Sequence, residues 1–211
     1  MKEFCKKWFS KEGLLKIFHS FAWVAVLVFV VDIVTKWVVQ TNLVYDHNSV
    51  TLIDNFLYIT LTHNTGASFG IGSSGELGWR IFWIFVSFAL TGAIIFVLIK
   101  YFKKFTYTQR ISLALMIGGA FGNLIDRTFY WDSTVGFNGV IDWIDFVFGP
   151  IDFAIFNIAD ACLVIGVFML VLVELINLIK EVREKDKRGE YDIAPKELEK
   201  KEQNEEGKDK K

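Results

Sequence analysis

The chain has 211 residues, 53% of them hydrophobic and 16% aromatic, with a net charge of −1, two prolines and two cysteines. That apolar content exceeds the norm for a soluble domain of this length, and the distant Cys5 and Cys162, in no CxxC or Cys/His cluster, argue against a disulfide or zinc framework. Of 23 Lys and Arg, five fall in residues 1–16, four in 100–110 and eleven in 180–211, so no basic nucleic-acid groove is built into the body.

Residues 1–17 set Phe4, Trp8 and Leu15 among lysines, which predicts an amphipathic segment at a membrane interface. Four apolar stretches follow, Phe18–Val39, Trp79–Ile99, Tyr107–Ile125 and Phe153–Ile179. At 1.5 Å per residue, about 20 residues cross the ~30 Å hydrocarbon core, so each is predicted to span a bilayer. Both termini and the loop carrying Lys100, Lys103, Lys104 and Arg110 are basic and are predicted to be cytoplasmic. Loops 40–78 and 127–152, in which Arg127 is the only Lys or Arg, are predicted to face outward. The fold class is therefore an all-α integral membrane protein of four transmembrane helices, its membrane domain covering residues 18–180. Residues 181–211 form a charged cytoplasmic tail with no assigned chemistry.

The first span carries Asp32 and Lys36, whose i, i+4 spacing puts them on one helical face as an ion pair. In the first outer loop, Leu57, Ile59 and Leu61 alternate with Tyr58, Thr60 and Thr62, which predicts a strand and a small sheet on the outer face. In the third span Gly118 and Gly122 form a GxxxG contact surface, and Asn123 and Asp126 follow on one face beside Arg127. Asp142 and Asp145 flank Trp143 in the second outer loop. The fourth span opens with Asn157 and Asp160, the latter placed about 10 Å deep with no cation near it in that span.

Asp32, Asp126, Asp142, Asp145 and Asp160 thus come from different segments to one depth. Two carboxyls held close share a proton, so one can take a proton from water while the other donates to a carbonyl oxygen. This is metal-free, cofactor-free peptide hydrolysis, although spacing alone lets Asp126 partner Asp160 as well as Asp142 does. His19, His47 and His63 are scattered outside any HExxH, and Ser68, Ser73 and Ser74 lie in no GxSxG elbow. The other class open to these residues is a small proton-coupled transporter or channel component that uses the carboxylates as relays.

In order, "DIVTKW" (32–37), "HNTGASFG" (63–70), "GGAFGNLIDR" (118–127), "VIDWIDF" (140–146) and "FNIAD" (156–160) resemble the motifs of the lipoprotein signal peptidase (signal peptidase II) family. The resemblance implies a four-span aspartic endopeptidase of the bacterial inner membrane. It would cut the signal peptide from a diacylglyceryl-modified prolipoprotein just before the lipidated Cys, acting as a monomer among membrane lipid. It maps the catalytic pair onto Asp142 and Asp160. Asn123, Asp126, Arg127 and Asn157 map onto residues that orient the pair, Asp32 and Lys36 onto a supporting motif, and Asn64 and Gly66 onto a substrate cradle. The chain departs from the pattern in an insert around 131–138, and in Trp143 and Ser68.

Overall fold

The computed structural model describes residues 21–43, 49–66, 77–129, 131–132 and 137–188. The predicted interfacial segment 1–17, Ser68 and most of the glycine-rich loop, and the tail beyond residue 188 lie outside the described residues. Among the described residues the helices are α1 (Ala22–Asn42), α2 (Leu77–Tyr101), α3 (Tyr107–Phe129) and α4 (Ile158–Lys187). The chain divides into two compact units between Leu170 and Val171. In the second, α4 continues as a mostly exposed helix with an ion pair between Lys185 and Glu181 at 2.7 Å.

The helices are built inside out. On α1, Val26, Leu27, Val30, Val34 and Trp37 are exposed, while Val28, Asp32, Lys36 and Val39 form a buried stripe at helical spacing. Apolar side chains face outward and charge faces inward, as expected where the surroundings are lipid. Among the described residues, three helices, α1, α2 and α4, are long and apolar enough to cross a membrane. This differs from the expected four. The predicted third span is a helix of 23 residues, but it is more polar and far more buried than the rest. Its small and polar residues, among them Gln109, Ser112, Gly118 and Asn123, pack against protein, so its mean hydropathy falls below that of a lipid-facing span. It starts at a reciprocal cap: Gln109 Oε1 accepts the Thr106 amide at 2.8 Å, and Thr106 Oγ1 accepts the Gln109 amide at 3.3 Å.

Helix α3 packs against both α1 and α2. A Cβ at Gly118 would stand 2.6 Å from the Ala25 carbonyl oxygen of α1. One at Gly122 would collide with the Asp32 carboxylate and crowd the Ala159 Cβ of α4 at 3.2 Å. The GxxxG pair therefore lets two neighbours approach one helix face. Gly122→Ala is expected to destabilise the protein by about 1–3 kcal/mol through overpacking, read as a lower melting temperature in detergent; an unchanged melting point would show that α1 and α4 can yield there.

The predicted strand is present. Strands β1 (Ser49–Ile53), β2 (Leu57–Asn64), β5 (Val140–Phe148) and β6 (Ile151–Asp152) form an antiparallel sheet in that order, and β3 (Trp131–Asp132) pairs with β4 (Phe137–Asn138) within the insert. Buried Val39, Leu61 and Ile141 join α1 to this sheet. Ile94, Leu113 and Ile117 form a second cluster, joining α2 to α3.

The fourth span begins later than its composition implies. Residues Phe153–Phe156 are non-helical, and Phe156 bridges Ile144 of β5 through amide-to-carbonyl bonds of 2.7 and 3.1 Å. Asp160 consequently lies in the first turn of α4, not some 10 Å into a span.

Candidate active site

Lys36 is the centre of a buried charge network. Its Nζ lies 2.7 Å from Asp32 Oδ2 and 2.8 Å from Asp126 Oδ2, and donates to Asn123 Oδ1 at 3.1 Å. Asp32 and Asp126 are fully buried and Lys36 is 1% exposed. Three charges out of water need such mutual satisfaction, because each alone costs several kcal/mol.

The two carboxylates of this network each reach one further chain segment. Asp32 Oδ1 accepts the Ala159 amide at 2.9 Å, which ties α1 to the start of α4. Asp126 Oδ2 accepts the Ile141 amide at 3.2 Å, which ties α3 to β5. The residues after those two amides are Asp160 and Asp142. One lysine thus indirectly sets the positions of both aspartates.

Asn157 joins the aspartates directly. It opens α4 with a reciprocal cap, its Oδ1 accepting the Asp160 amide at 2.9 Å and its own amide donating to Asp160 Oδ2 at 3.3 Å. Its Nδ2 donates to Asp142 Oδ1 at 2.6 Å, and also reaches Asn123 Oδ1 at 3.1 Å and the Ile141 carbonyl at 3.2 Å. Asn123 Nδ2 donates to Asp160 Oδ1 at 2.7 Å. Asn64 completes the ring. Its partner strand register (Thr62 opposite Asp142) puts it on the face of β2 that Asp142 shares on β5, and its amide hydrogen-bonds Asp142. Asn64 Oδ1 also accepts the Gly66 amide at 3.0 Å, while Arg127 Nη2 donates to the Gly66 carbonyl at 3.3 Å.

Asp142, Asp160, Asn64 and Arg127 line one cavity of about 380 Å³, whose apolar wall includes Phe153, Phe156 and Val164. Asp142 is 2% exposed, and its carboxyl is pushed up to about 7 by burial and then by the negative charge of Asp160. Of the carboxylates grouped from the sequence, three do not reach this cavity. Asp32 is committed to Lys36 and the Ala159 amide. Asp126 is committed to Lys36 and the β5 backbone. Asp145, three residues from Asp142 on a strand, points to the opposite face and accepts from Thr60 Oγ1 at 2.8 Å.

A profile describing signal peptidase (SPase) II matches residues 24–176. The chain belongs to the signal peptidase II family. It is 35% identical to the lipoprotein signal peptidase of Bacillus subtilis (strain 168) over 164 residues, 76% of this chain and 96% of that protein. With the lipoprotein signal peptidase of Bacillus pumilus (strain SAFR-032) it shares 36% identity over 157 residues, 73% of this chain and 91% of that one. A bacterial membrane enzyme solved by the in meso method at 2.3 Å superposes with a TM-score of 0.62 at 32% identity, covering 75% of this chain and 88% of that one. A second, solved at 1.9 Å, gives 0.60 at 33% identity, covering 74% and 92%.

One residue beside the cavity was not expected from the sequence. Arg80 at the start of α2 donates to the carbonyls of Arg127 (3.0 Å) and Thr128 (2.9 Å), closing the end of α3 from which Arg127 reaches the cavity. Its signal was its placement: with Lys36 and Arg127 it is a cation away from the three basic clusters.

Proposed function

We propose that this protein removes the signal peptide from diacylglyceryl-modified prolipoproteins, cutting just before the lipidated Cys, with Asp142 and Asp160 as the catalytic pair. The observation that carries this reading is Asn157, one side chain and amide bonded to both carboxylates at the mouth of a single cavity. The names of the Bacillus relatives support the substrate class.

In the proposed mechanism Asp142 carries the shared proton at neutral pH, because burial and the facing Asp160 disfavour its charge. Asp160, held by Asn123 and the Asn157 amide, takes a proton from the attacking water. Asp142 donates to the carbonyl oxygen of the scissile bond, giving a gem-diol; Asp160 then passes the proton taken from water to the leaving amine while a diol hydroxyl returns its proton to Asp142 as the carbon–nitrogen bond breaks. The positive charge of Arg127, which acts on both aspartates, stands at the same cavity. Asn64 and Gly66 hold the substrate backbone beside β2, and the apolar wall from Phe153 to Val164 takes the flanking side chains. Helix α3 is the fourth span, shielded by its neighbours, and the basic flanks put both termini in the cytoplasm with the aspartates near the outer face. The membrane peptidase domain covers residues 18–180 and works as a monomer without metal.

Purified protein incubated with a diacylated prolipoprotein is expected to release a fragment whose mass ends at the residue before the lipidated Cys. The non-lipidated precursor should be cut far more slowly, and a chelator should leave the rate unchanged. Equal cutting of both precursors, or cutting elsewhere, would refute the substrate assignment; a chelator loss restored by zinc would refute the metal-free pair. The pH dependence has a definite sign. Asp142 is needed protonated, so turnover at saturating substrate should fall as pH rises through about 7. A pH–rate profile rising through that range would contradict the assigned donor.

A further inference from the structure

At the other end of α3 the structure holds a second and larger cavity. Ile117, the α3 residue of its lining nearest the aspartates along the helix, lies about 14 Å from Asp126 at 1.5 Å per residue, and neither Asp142 nor Asp160 lines this space. Its volume is about 770 Å³, in the range of small-molecule sites. The walls are apolar, contributed by Ala25 of α1, Leu98 of α2, and Ala114 and Ile117 of α3. The rim is basic, formed by Lys100, Lys103 and Lys104. All three lysines are exposed, and among the described residues none has a carboxylate partner. Aromatic rings hold two of the ammonium groups at the rim: Lys100 Nζ lies 5.3 Å from the Phe96 ring centre and 5.2 Å from that of Tyr101, and Lys104 Nζ lies 5.8 Å from Tyr101. A fourth cation stands close by. Arg110 stacks 4.1 Å from the ring of Phe102, which lines the cavity, and its Nε is buried without a hydrogen-bond partner among the described residues.

We propose that this cavity is a binding site for an anionic glycerophospholipid, with an acyl chain against Ala25, Leu98, Ala114 and Ile117 and the headgroup phosphate between Lys100, Lys103 and Lys104. The pairing of walls and rim matches the two halves of such a lipid, and unpaired cations at a membrane interface attract anionic headgroups. Charge also selects against the nearest rival occupant. The amino-terminal segment that precedes α1 carries Lys2, Lys6, Lys7, Lys11 and Lys16, so it would bring like charge to a basic rim. A neutral lipid would leave the three ammonium groups unmatched.

The test is native mass spectrometry of the full chain extracted from vesicles of equal phosphatidylglycerol and phosphatidylcholine. Wild type should retain phosphatidylglycerol in preference to phosphatidylcholine. The K100Q/K103Q/K104Q variant should retain about tenfold less of it or lower still, with phosphatidylcholine retention and peptidase turnover in neutral vesicles unchanged. Unchanged turnover reports that the variant is folded. Equal phosphatidylglycerol retention by both proteins, or no preference in wild type, would overturn the assignment. Displacement by dissolved glycerol phosphate would also overturn it, in favour of a soluble phosphate site. If wild type retains no lipid at all, the cavity is closed by another part of the chain, which equally overturns it.

Discussion

Asp142→Asn and Asp160→Asn are each expected to lower turnover of a diacylated prolipoprotein by about 10³-fold or more, the scale expected when a positioned proton donor or acceptor is lost. The proposed roles predict a catalytic effect and not a loss of fold, and pH separates the two. The carboxyl of Asp142 is held at about 7 in the folded protein, against an ordinary value of 3.8. Between those values the folded state binds more protons than the unfolded state, so this group's contribution to stability falls as pH rises through the window. Above pH 7 a buried charge remains, which Asn does not carry. The Asp142→Asn protein should therefore melt no lower than wild type at pH 8 while being inactive. A variant that melts much lower there, and whose activity returns on stabilisation, would transfer Asp142 from chemistry to folding. Asp126→Asn should behave in the opposite way. It weakens a contact to Lys36 and to the Ile141 amide, so a lower melting point and a partial loss of rate are expected.

Lys36→Met is the second large effect, and it falls on stability. The substitution leaves Asp32 and Asp126 buried without their cation, at a cost of about 3–5 kcal/mol. Because those carboxylates hold the amides of Ala159 and Ile141, the loss also loosens the segments carrying Asp160 and Asp142. Thermal denaturation in detergent should show a large fall in melting temperature. Adding Asp32→Asn and Asp126→Asn to Lys36→Met removes the stranded charges and should recover part of that stability, without recovering full activity. A single Lys36→Met protein as stable as wild type would mean that the network carries no buried charge to compensate.

Much of this arrangement is legible in the residues, and its limits have physical reasons. Spacing put Asp32 and Lys36 on one face, and the structure pairs them at 2.7 Å. Period-two alternation located β2, and its register opposite β5 brings Asn64 to Asp142. Depth was misjudged at Asp160. An apolar run such as Phe153–Phe156 satisfies a helix or a strand equally, and only its bridge to Ile144 decides. The expected count of four spans meets a related limit, since among the described residues only α1, α2 and α4 are long and apolar enough to cross a membrane. Hydropathy registers what faces lipid, whereas α3 spends its glycines, Ser112 and Asn123 on contacts with protein. Spacing could not choose between Asp126 and Asp142 because the choice depends on Lys36, some 90 residues upstream of Asp126, taking one of them.

The most direct measurement is a crystal structure of the protein with a lipopeptide in which a tetrahedral hydroxyl-bearing carbon replaces the scissile carbonyl. Such a hydroxyl mimics the addition of water to the bond. The account predicts that it sits within hydrogen-bonding distance of the carboxyls of both Asp142 and Asp160, with Asn157 still joined to each. A hydroxyl bound by only one of them, or by Asp126, would contradict it.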